Sequence, residues 1–285
     1  MLQIIQFPHP IWEDPATVQG MKPWNNKEHK RNFIVSAGEA ISRKGGKPER
    51  FESISFWGEW EPEANVVKTF NSAKSPITPR RLIAPVYPEK APNIHSGNCC
   101  ANTDPFVFGE HFKYSNCRQY YRGMPNRLQD LSAGSLILYG GVSKGDFWLD
   151  TVFVVKDGTK FNKANYQSLQ SVLKADYPLF ESATLKPLFA SPNDKAYTLY
   201  RGQNYWENDK FFSFVPCDVN GRAFAKVRLT RNDIARLSAC SQNYTVLGEK
   251  NAANPQLVWN KIVDIVLSQN LSLGVRFDNI VKKNR

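Results

Sequence analysis

Two apolar runs separated by a glycine-containing loop restrict the fold of this sequence more than any other feature. The runs at 135–139 and 147–155 are rich in β-branched and aromatic residues, and the loop at 140–146 carries three glycines. This pattern is typical of a β-hairpin, because a tight turn needs residues that accept a positive φ. The sequence therefore predicts an antiparallel strand pair in the middle of the chain.

Shorter patterns predict the elements around this hairpin. Strands are predicted at 2–7, 32–35, 51–60, 65–70, 196–201, 211–215 and 224–229. Helices are predicted at 165–175, from Thr230 or Asn232 to Leu237, and after an N-cap at Asn254 followed by Pro255, with Gly274 beyond the last turn.

The order of these elements indicates the fold class. The strands come in runs with helices at irregular spacing, unlike alternating βαβ units. We therefore predict an α+β fold whose mostly antiparallel sheet curls or forms a partial barrel, with a few peripheral helices. The chain of 285 residues is either one domain or a β-rich part at 1–156 followed by a basic part at 157–285.

Charge and cysteine content restrict the function and the compartment. The net charge is +11, of which +7 falls in residues 157–285, and this favours an anionic partner such as nucleic acid or a nucleotide. Five cysteines without regular spacing predict reduced thiols and a cytoplasmic location. No apolar run is long enough to predict a membrane span. The motifs of P-loop NTPases, dinucleotide-binding folds, zincins and serine hydrolases are missing from the sequence.

Four segments mix large aromatic residues with charged ones inside strand-like runs: 56–62, 103–109, 149–153 and 197–202. An unpaired buried charge costs several kcal/mol, so these mixtures predict a lined pocket. Its aromatic residues would stack on a ligand, its carboxylates would bind a base edge, and its arginine would contact phosphate. The residues predicted to line it are Trp57, Trp60, Asp104, Asp150, Tyr200 and Arg201.

Glu59 and Glu61 are the predicted catalytic pair. Residues two apart on a strand share a face, and two neighbouring carboxylates can separate their pKa values for acid–base chemistry. The alternatives are a solvated strand face and a glutamate that pairs with a nearby arginine.

A basic stretch near residue 226 is the predicted contact surface for a nucleic-acid backbone. Lys226 and Arg228 would share the solvent face of one strand. The alternative is an edge strand that its charges protect from aggregation. For Arg201 the alternative to phosphate contact is an ion pair with an acid such as Glu207. The residues assigned to the surface are Arg222, Lys226, Arg228 and Arg231.

Histidines and cysteines between positions 95 and 117 could supply zinc ligands, namely His95, Cys99, His111 and Cys117. They lack the paired Cys-x2-Cys spacing of structural zinc sites, so we predict no metal from this pattern. A Cys–His nucleophile ranks lower still, since no orienting residue is evident.

The hairpin residues 134–140 and 147–155 resemble the strand pair of PUA-like domains, the class that includes ASCH and EVE modules. This resemblance implies a small curled barrel that binds RNA or modified nucleobases. The whole chain also resembles a bacterial family of unassigned function with similar segments at 56–62 and 103–109. We therefore predict recognition of nucleic acid or a nucleotide, as part of a modification or defence system and without a cofactor.

A second resemblance implies an enzyme. The segments 200–202 and 59–61 are similar to the arginine and paired-glutamate motifs of ADP-ribosyltransferases, although their order along the chain is reversed. The resemblance implies NAD as cofactor, with Arg201 binding it and Glu61 as the catalytic acid. The third alternative is a protein–protein interaction module in which the aromatic residues form the core and the contact surface.

Overall fold

A computed structural model describes residues 2–14, 20–25, 29–71, 75–89, 101–190, 193–239, 243–247 and 254–282. The strands in these ranges are β1 (Ile4–Pro8), β2 (Met21–Lys22), β3 (Asn32–Ile41), β4 (Glu49–Gly58), β5 (Ala64–Thr69), β6 (Arg81–Pro85), β7 (Lys113–Tyr114), β8 (Tyr120–Tyr121), β9 (Met124–Pro125), β10 (Leu136–Ser143), β11 (Asp146–Phe161), β12 (Tyr197–Gly202), β13 (Val215–Asp218), β14 (Val227–Leu229), β15 (Thr245–Val246) and β16 (Ser272–Phe277). The α-helices are α1 (Leu169–Leu173), α2 (Tyr177–Phe180), α3 (Lys186–Phe189) and α4 (Pro255–Ser268).

Two large sheets contain most of the strands. The first has the order β15-β1-β10-β11-β12-β7, with β14 also paired to β11, and the second has the order β16-β13-β4-β3-β6-β5-β2. Only β1 with β10 and β3 with β6 pair in parallel among the described strands. The predicted fold class, an α+β protein with mostly antiparallel sheets, is confirmed.

The second sheet curls into a small barrel. An additional pairing of β16 with β3 joins the two ends of the four strands β16, β13, β4 and β3. Closure of this kind removes the exposed strand edges that would otherwise offer unpaired backbone groups. The curled sheet is consistent with the partial barrel that the PUA-like resemblance implies.

The predicted hairpin is formed by β10 and β11. Its turn carries Lys144 at φ 51° and Gly145 at φ 84°, as a two-residue hairpin loop requires. The pairing runs from Leu136–Val154 to Ser143–Asp146, but its register shifts after Tyr139. Asp150 therefore lies at a β-bulge, between residues that pair with Tyr139 and Gly140. A bulge re-aims the side chain it carries, and here that side chain is a buried carboxylate.

Strands from the two halves of the sequence are interleaved. Residue 156 lies inside β11, and each sheet combines strands from both sides of it. One apolar cluster, with Trp60, Phe106 and Phe108, is rich in aromatic side chains. A second cluster lies beneath α4, where Trp259 and Ile262 are buried.

Most predicted elements exist, with shifts at their ends. Helix α4 begins as expected, and the side chain of Asn254 accepts a hydrogen bond from the Gln256 amide. The predicted helix at 230–237 is wrong: this segment forms turns, and Asp233 accepts hydrogen bonds from Thr230. The strand predicted at 211–215 begins only at Val215. The described helices are all too short or too polar to cross a membrane.

Candidate functional site

A group of buried charged side chains lies where the two sheets meet, and we call it the Arg31 cluster. His9 follows β1, Arg31 precedes β3, the two glutamates follow β4, and Asp150 comes from the bulge of β11. Lys226 precedes β14. The members of the Arg31 cluster are His9, His29, Arg31, Glu59, Glu61, Asp150 and Lys226. All of them except His29 are buried.

Arg31 connects the sheets through two carboxylates. Its Nη2 atom donates to Glu59 Oε2 at 3.0 Å, and its Nε atom lies 3.3 Å from Asp150 Oδ2. The side chain of each of these three residues is fully shielded from solvent. Buried ion pairs gain little net stability, because desolvation offsets their attraction. A group of buried charges that contributes little to stability is typical of a functional site.

His9 is a neutral imidazole in this environment. Burial and the neighbouring Arg31 lower the pKa of His9 to about 3. His9 Nδ1 lies against Arg31 Nη2 and 3.0 Å from Glu59 Oε2. His9 Nε2 lies 3.4 Å from the sulfur of Cys117. Burial raises the pKa of Cys117 to about 12, so this cysteine is a thiol and not an activated nucleophile.

Glu59 and Glu61 both lie close to His29, although β4 ends at Gly58 and strand alternation does not extend to them. His29 Nδ1 lies 2.8 Å from Glu59 Oε1 and 3.3 Å from Glu61 Oε1. Burial acts to raise the pKa of Glu59, but the surrounding positive charges, His29 foremost, hold it well below its usual value. Burial raises the pKa of Glu61, and the neighbouring His29 only partly opposes this. The two carboxyls therefore differ in proton affinity, as an acid–base pair requires.

His29 is the member of the cluster nearest to solvent. Its side chain is 29% exposed, whereas those of both glutamates are fully buried. Burial acts to lower the pKa of His29, but the neighbouring carboxylates of Glu59 and Glu61 raise it well above the usual value. Among the described residues, His29 thus separates the deep carboxylates from water.

Asp104 lies next to this group and is held by the backbone. Its carboxylate accepts from the amides of Ser115, Asn116 and Cys117 at 2.7–2.9 Å. Burial raises the pKa of Asp104 to about 7, although these three amides favour the charged form. The Asp104 amide in turn donates to Glu59 Oε1 at 3.2 Å. Asp104 thus positions Glu59 and is itself already saturated with donors.

Lys226 corrects one prediction. It was expected on a solvent face beside Arg228, but its ammonium group is buried 3.3 Å from Asp150 Oδ1 and 4.4 Å from the centre of the Trp57 ring. Lys226 lies one residue before β14 begins, where strand alternation does not apply. Burial lowers the pKa of Lys226 to about 8.

Lys22 shapes the segment that carries Glu61. Its ammonium group donates to the carbonyl oxygens of Trp60, Glu61 and Pro62 at 2.8–3.2 Å and pairs with Asp14 at 3.0 Å. Three donors thereby fix the backbone just after β4. Sequence analysis missed Lys22, Arg31 and the two histidines of the cluster, because they lie in separate polar stretches without a repeating pattern.

Some buried oxygen atoms of the cluster have no hydrogen-bond donor. Both carboxylate oxygens of Glu61 and both of Asp150 accept no hydrogen bond within the described ranges, although ion pairs lie nearby. Buried acceptors without donors cost free energy and mark a place where a ligand can bind. Both carboxylates are fully buried, and Glu61 lies beside the partly exposed His29.

The aromatic residues that were predicted to line a ligand pocket belong to the hydrophobic core instead. Trp60 lies against Phe106 and Phe108, Tyr200 stacks on Tyr114, and all are buried. Trp57 is equally buried beneath Lys226. A base cannot stack on these rings in the described conformation. Their part in the site is to hold the polar groups, as the packing of Lys226 on Trp57 shows.

Arg201 lies in a different pocket. Its guanidinium makes two hydrogen bonds to Asp157, at 2.9 and 2.5 Å, and the pair is partly exposed. A polar cavity of about 180 Å³ beside it is also lined by His111, Lys156 and Glu207. The expected single cleft is therefore divided: Asp104, Asp150 and the two glutamates lie together, and Arg201 lies with other partners.

The remaining basic residues are on the surface or bound locally. Arg222 pairs with Asp218, and Arg228 pairs with Asp146; both guanidinium groups are largely exposed. Arg231 donates to the Leu237 carbonyl oxygen at 3.0 Å.

Of the four residues considered as zinc ligands in the sequence, only His111 and Cys117 are among the described residues. His95 and Cys99 fall outside the described residues. His111 donates from Nδ1 to the Gly202 carbonyl oxygen at 2.9 Å, whereas Cys117 lies beside His9.

Comparison of the chain with known protein families, with curated proteins and with solved structures finds no significant match.

Proposed function

We propose that the protein recognises a nucleic acid or a nucleotide and that the Arg31 cluster binds the edge of a base. The observation that carries this proposal is the pair of buried carboxylates, Glu61 and Asp150, whose oxygens lack hydrogen-bond donors among the described residues. An ionised carboxylate only accepts, so its complement is a ligand edge that carries N–H groups. The amino groups of cytosine, adenine and guanine meet this requirement.

The position of His29 supports an entry route. It is the partly exposed member of the cluster and contacts both glutamates. A base that displaces His29 toward solvent would bring N–H donors to the Glu61 carboxylate, which has none among the described residues. Enzymes and readers that act on single bases use pockets that take one base out of its stack.

Charge supports an anionic partner. The net charge is +11, and Arg222 and Arg228, both in the more basic second half of the sequence, have largely exposed guanidinium groups. The PUA-like resemblance of the hairpin agrees with this partner. The cysteine content supports a cytoplasmic location. We also propose that the protein belongs to a modification or defence system.

The first test measures binding directly. Fluorescence anisotropy of labelled single- and double-stranded DNA and RNA should show binding that weakens steeply with salt. Glu61→Gln should weaken binding by about 5-fold to 150-fold, the range for losing one good base contact. Glu207→Gln, which changes a half-exposed glutamate paired with Lys156, is the matched control and should bind like wild type. Absence of salt-dependent binding to all four probes would overturn the proposal.

A second test addresses the backbone contacts. Replacing Arg222 and Arg228 together by alanine should reduce the slope of log affinity against log salt by about 2 and weaken all sequences equally. An unchanged slope would show that these two residues do not contact the nucleic-acid backbone. Lys226 no longer belongs in this test, because it is buried.

A second candidate function is an enzyme that uses NAD. The opposite pKa shifts of Glu59 and Glu61 favour it, since they supply a base and an acid side by side. Arg201, which the resemblance assigns to NAD binding, is instead paired with Asp157. Release of nicotinamide by wild type and its loss in Glu61→Gln would support this candidate. Wild-type protein that leaves NAD intact would exclude it.

A further inference from the structure

Three side-chain atoms in the Arg31 cluster form a compact triangle. His29 Nδ1, one oxygen of Glu59 and one oxygen of Glu61 all lie within 4.8 Å of one another. The segments just before β3 and just after β4 bring them together, and both glutamate side chains are fully buried. The set contains one imidazole and two carboxylates, which is a donor set for divalent metal ions.

The separations fit metal coordination. Ligands to zinc and similar ions lie about 2.1 Å from the metal, so two neighbouring ligands are roughly 3.0 Å apart in octahedral and 3.4 Å apart in tetrahedral geometry. The distances from His29 Nδ1 are 2.8 Å to Glu59 and 3.3 Å to Glu61. One ion can therefore contact all three atoms with only small side-chain movements.

The rest of the cluster holds the ligands in place. The second oxygen of Glu59 is bound by Arg31 at 3.0 Å, and the Asp104 amide donates to the first at 3.2 Å. The backbone amide of Glu61 donates to Thr103 Oγ1 at 3.1 Å, and Lys22 fixes its carbonyl oxygen. Partners of this kind orient metal ligands and tune their affinity.

Two independent observations point to a cation here. Both side-chain oxygens of Glu61 are buried without a hydrogen-bond donor in the described part of the chain. Charge also favours an ion: the three carboxylates Glu59, Glu61 and Asp150 are grouped with the two basic side chains Arg31 and Lys226. A proton on His29 can neutralise this excess, and a metal ion on the same nitrogen can do so as well.

We propose that His29, Glu59 and Glu61 bind one divalent transition-metal ion, of the class that accepts imidazole and carboxylate together, such as Mn²⁺, Fe²⁺, Co²⁺ or Zn²⁺. Three protein ligands leave coordination positions for water or substrate, as in catalytic metal sites. This inference goes beyond the proposed function and does not depend on nucleic-acid binding.

The test uses full-length protein freed of metal by a chelator and then dialysed. Titration with CoCl2, followed by visible absorption and calorimetry, should show one equivalent bound per chain and absorption bands of cobalt bound to nitrogen and oxygen. His29→Ala and Glu61→Gln should each weaken binding by about 100-fold or more, because even loss of an outer partner costs 10-fold to 100-fold. Mn²⁺ and Zn²⁺ titrations in competition with Co²⁺ then rank the ions.

His111→Ala is the matched control. His111 is also a histidine beside two glutamates, but its Nε2 lies 3.6 Å from Glu207 and 4.0 Å from Glu110, and its Nδ1 is bound to a carbonyl oxygen. This variant should bind Co²⁺ like wild type. Circular dichroism of each metal-free variant checks folding, and Glu61→Gln preserves side-chain shape if His29→Ala does not fold. Absence of saturable binding by wild type, or wild-type affinity in both folded ligand variants, would overturn the proposal. Because no nucleic acid is present, this result stands apart from the base-binding test.

Discussion

The Arg31 cluster and the pocket around Arg201 contain the same kinds of charged groups but differ in how completely these groups are hydrogen-bonded. Each has an arginine, a histidine, a lysine and several carboxylates. Around Arg201 the groups have hydrogen-bond partners: the partly exposed Arg201 donates twice to Asp157, and the buried His111 donates to a carbonyl oxygen. Around Arg31 the side chains are buried, and the oxygens of Glu61 and Asp150 lack donors.

The difference shows which observation indicates a site. Charged residues in a cavity are common, and a complete set of mutual hydrogen bonds leaves them nothing to offer a ligand. A buried acceptor without a donor costs free energy, and a bound ligand, proton or ion removes this cost. By this criterion the Arg31 cluster is the stronger functional candidate of the two regions.

The largest expected change in the free energy of unfolding comes from removing the arginine of each region. Arg31→Met should lower the free energy of unfolding by about 3–5 kcal/mol, because Glu59 and Asp150 are left buried without their shared cation. Arg201→Met should cost about 1 kcal/mol or less, since its pair is partly exposed to solvent. Urea denaturation of both variants measures the difference. Equal losses would contradict the distinction between the two regions.

A smaller effect concerns the two basic residues around β14. Lys226→Met should cost about 2–3 kcal/mol, because Asp150 then retains only Arg31 as a cation and the methionine still packs on Trp57. Arg228→Met removes an exposed pair with Asp146 and should cost less than about 1 kcal/mol. Urea denaturation again provides the comparison. If Arg228→Met were the more damaging change, Lys226 would not be the buried partner of Asp150.

The smallest effect depends on pH and separates the two histidines. The glutamates raise the pKa of His29, so its stabilising contribution is complete below pH 6.5 and is lost as pH rises through the folded pKa. His29→Gln should therefore be about 1–3 kcal/mol less stable than wild type at pH 6, with a smaller deficit at alkaline pH.

His111→Gln provides the control for this pH dependence. Burial lowers the pKa of His111, so wild type is penalised only as pH falls below 6.5, and the variant gains relative stability in acid. Denaturant titrations at pH 5, 6 and 9 give both trends. A His29→Gln deficit that grows with pH would contradict protonation of His29 between the glutamates.

Local patterns predict much of this fold. The hairpin of β10 and β11 and the start of α4 follow from turn residues, periodicity and an N-cap, which act over a few residues. The closing strand β16 was missed, because Gly274 read as a helix end while its place is set by distant strands β3 and β13. Pairing between remote segments leaves little trace in local sequence.

The candidate site was predicted in part for the same reason. The spacing of Glu59 and Glu61 indicates that they act together, and Asp104 and Asp150 were assigned from the aromatic segments that contain them. Their partners Arg31 and His29 come from another stretch, and only the fold shows that the charges compensate one another. The bulge that directs Asp150 inward requires the register of β10 and β11, which alternation alone does not give.

The parallel pairing of β1 with β10 has a consequence for synthesis on the ribosome. Ile4 pairs with Leu136, so the first strand is made about 130 residues before its partner exists. At typical translation rates this interval lasts roughly 7–26 seconds. During that time Ile4, Ile5 and Phe7, all buried in the finished protein, have no sheet to join. These apolar side chains therefore stay without their sheet partner until the hairpin of β10 and β11 has been synthesised.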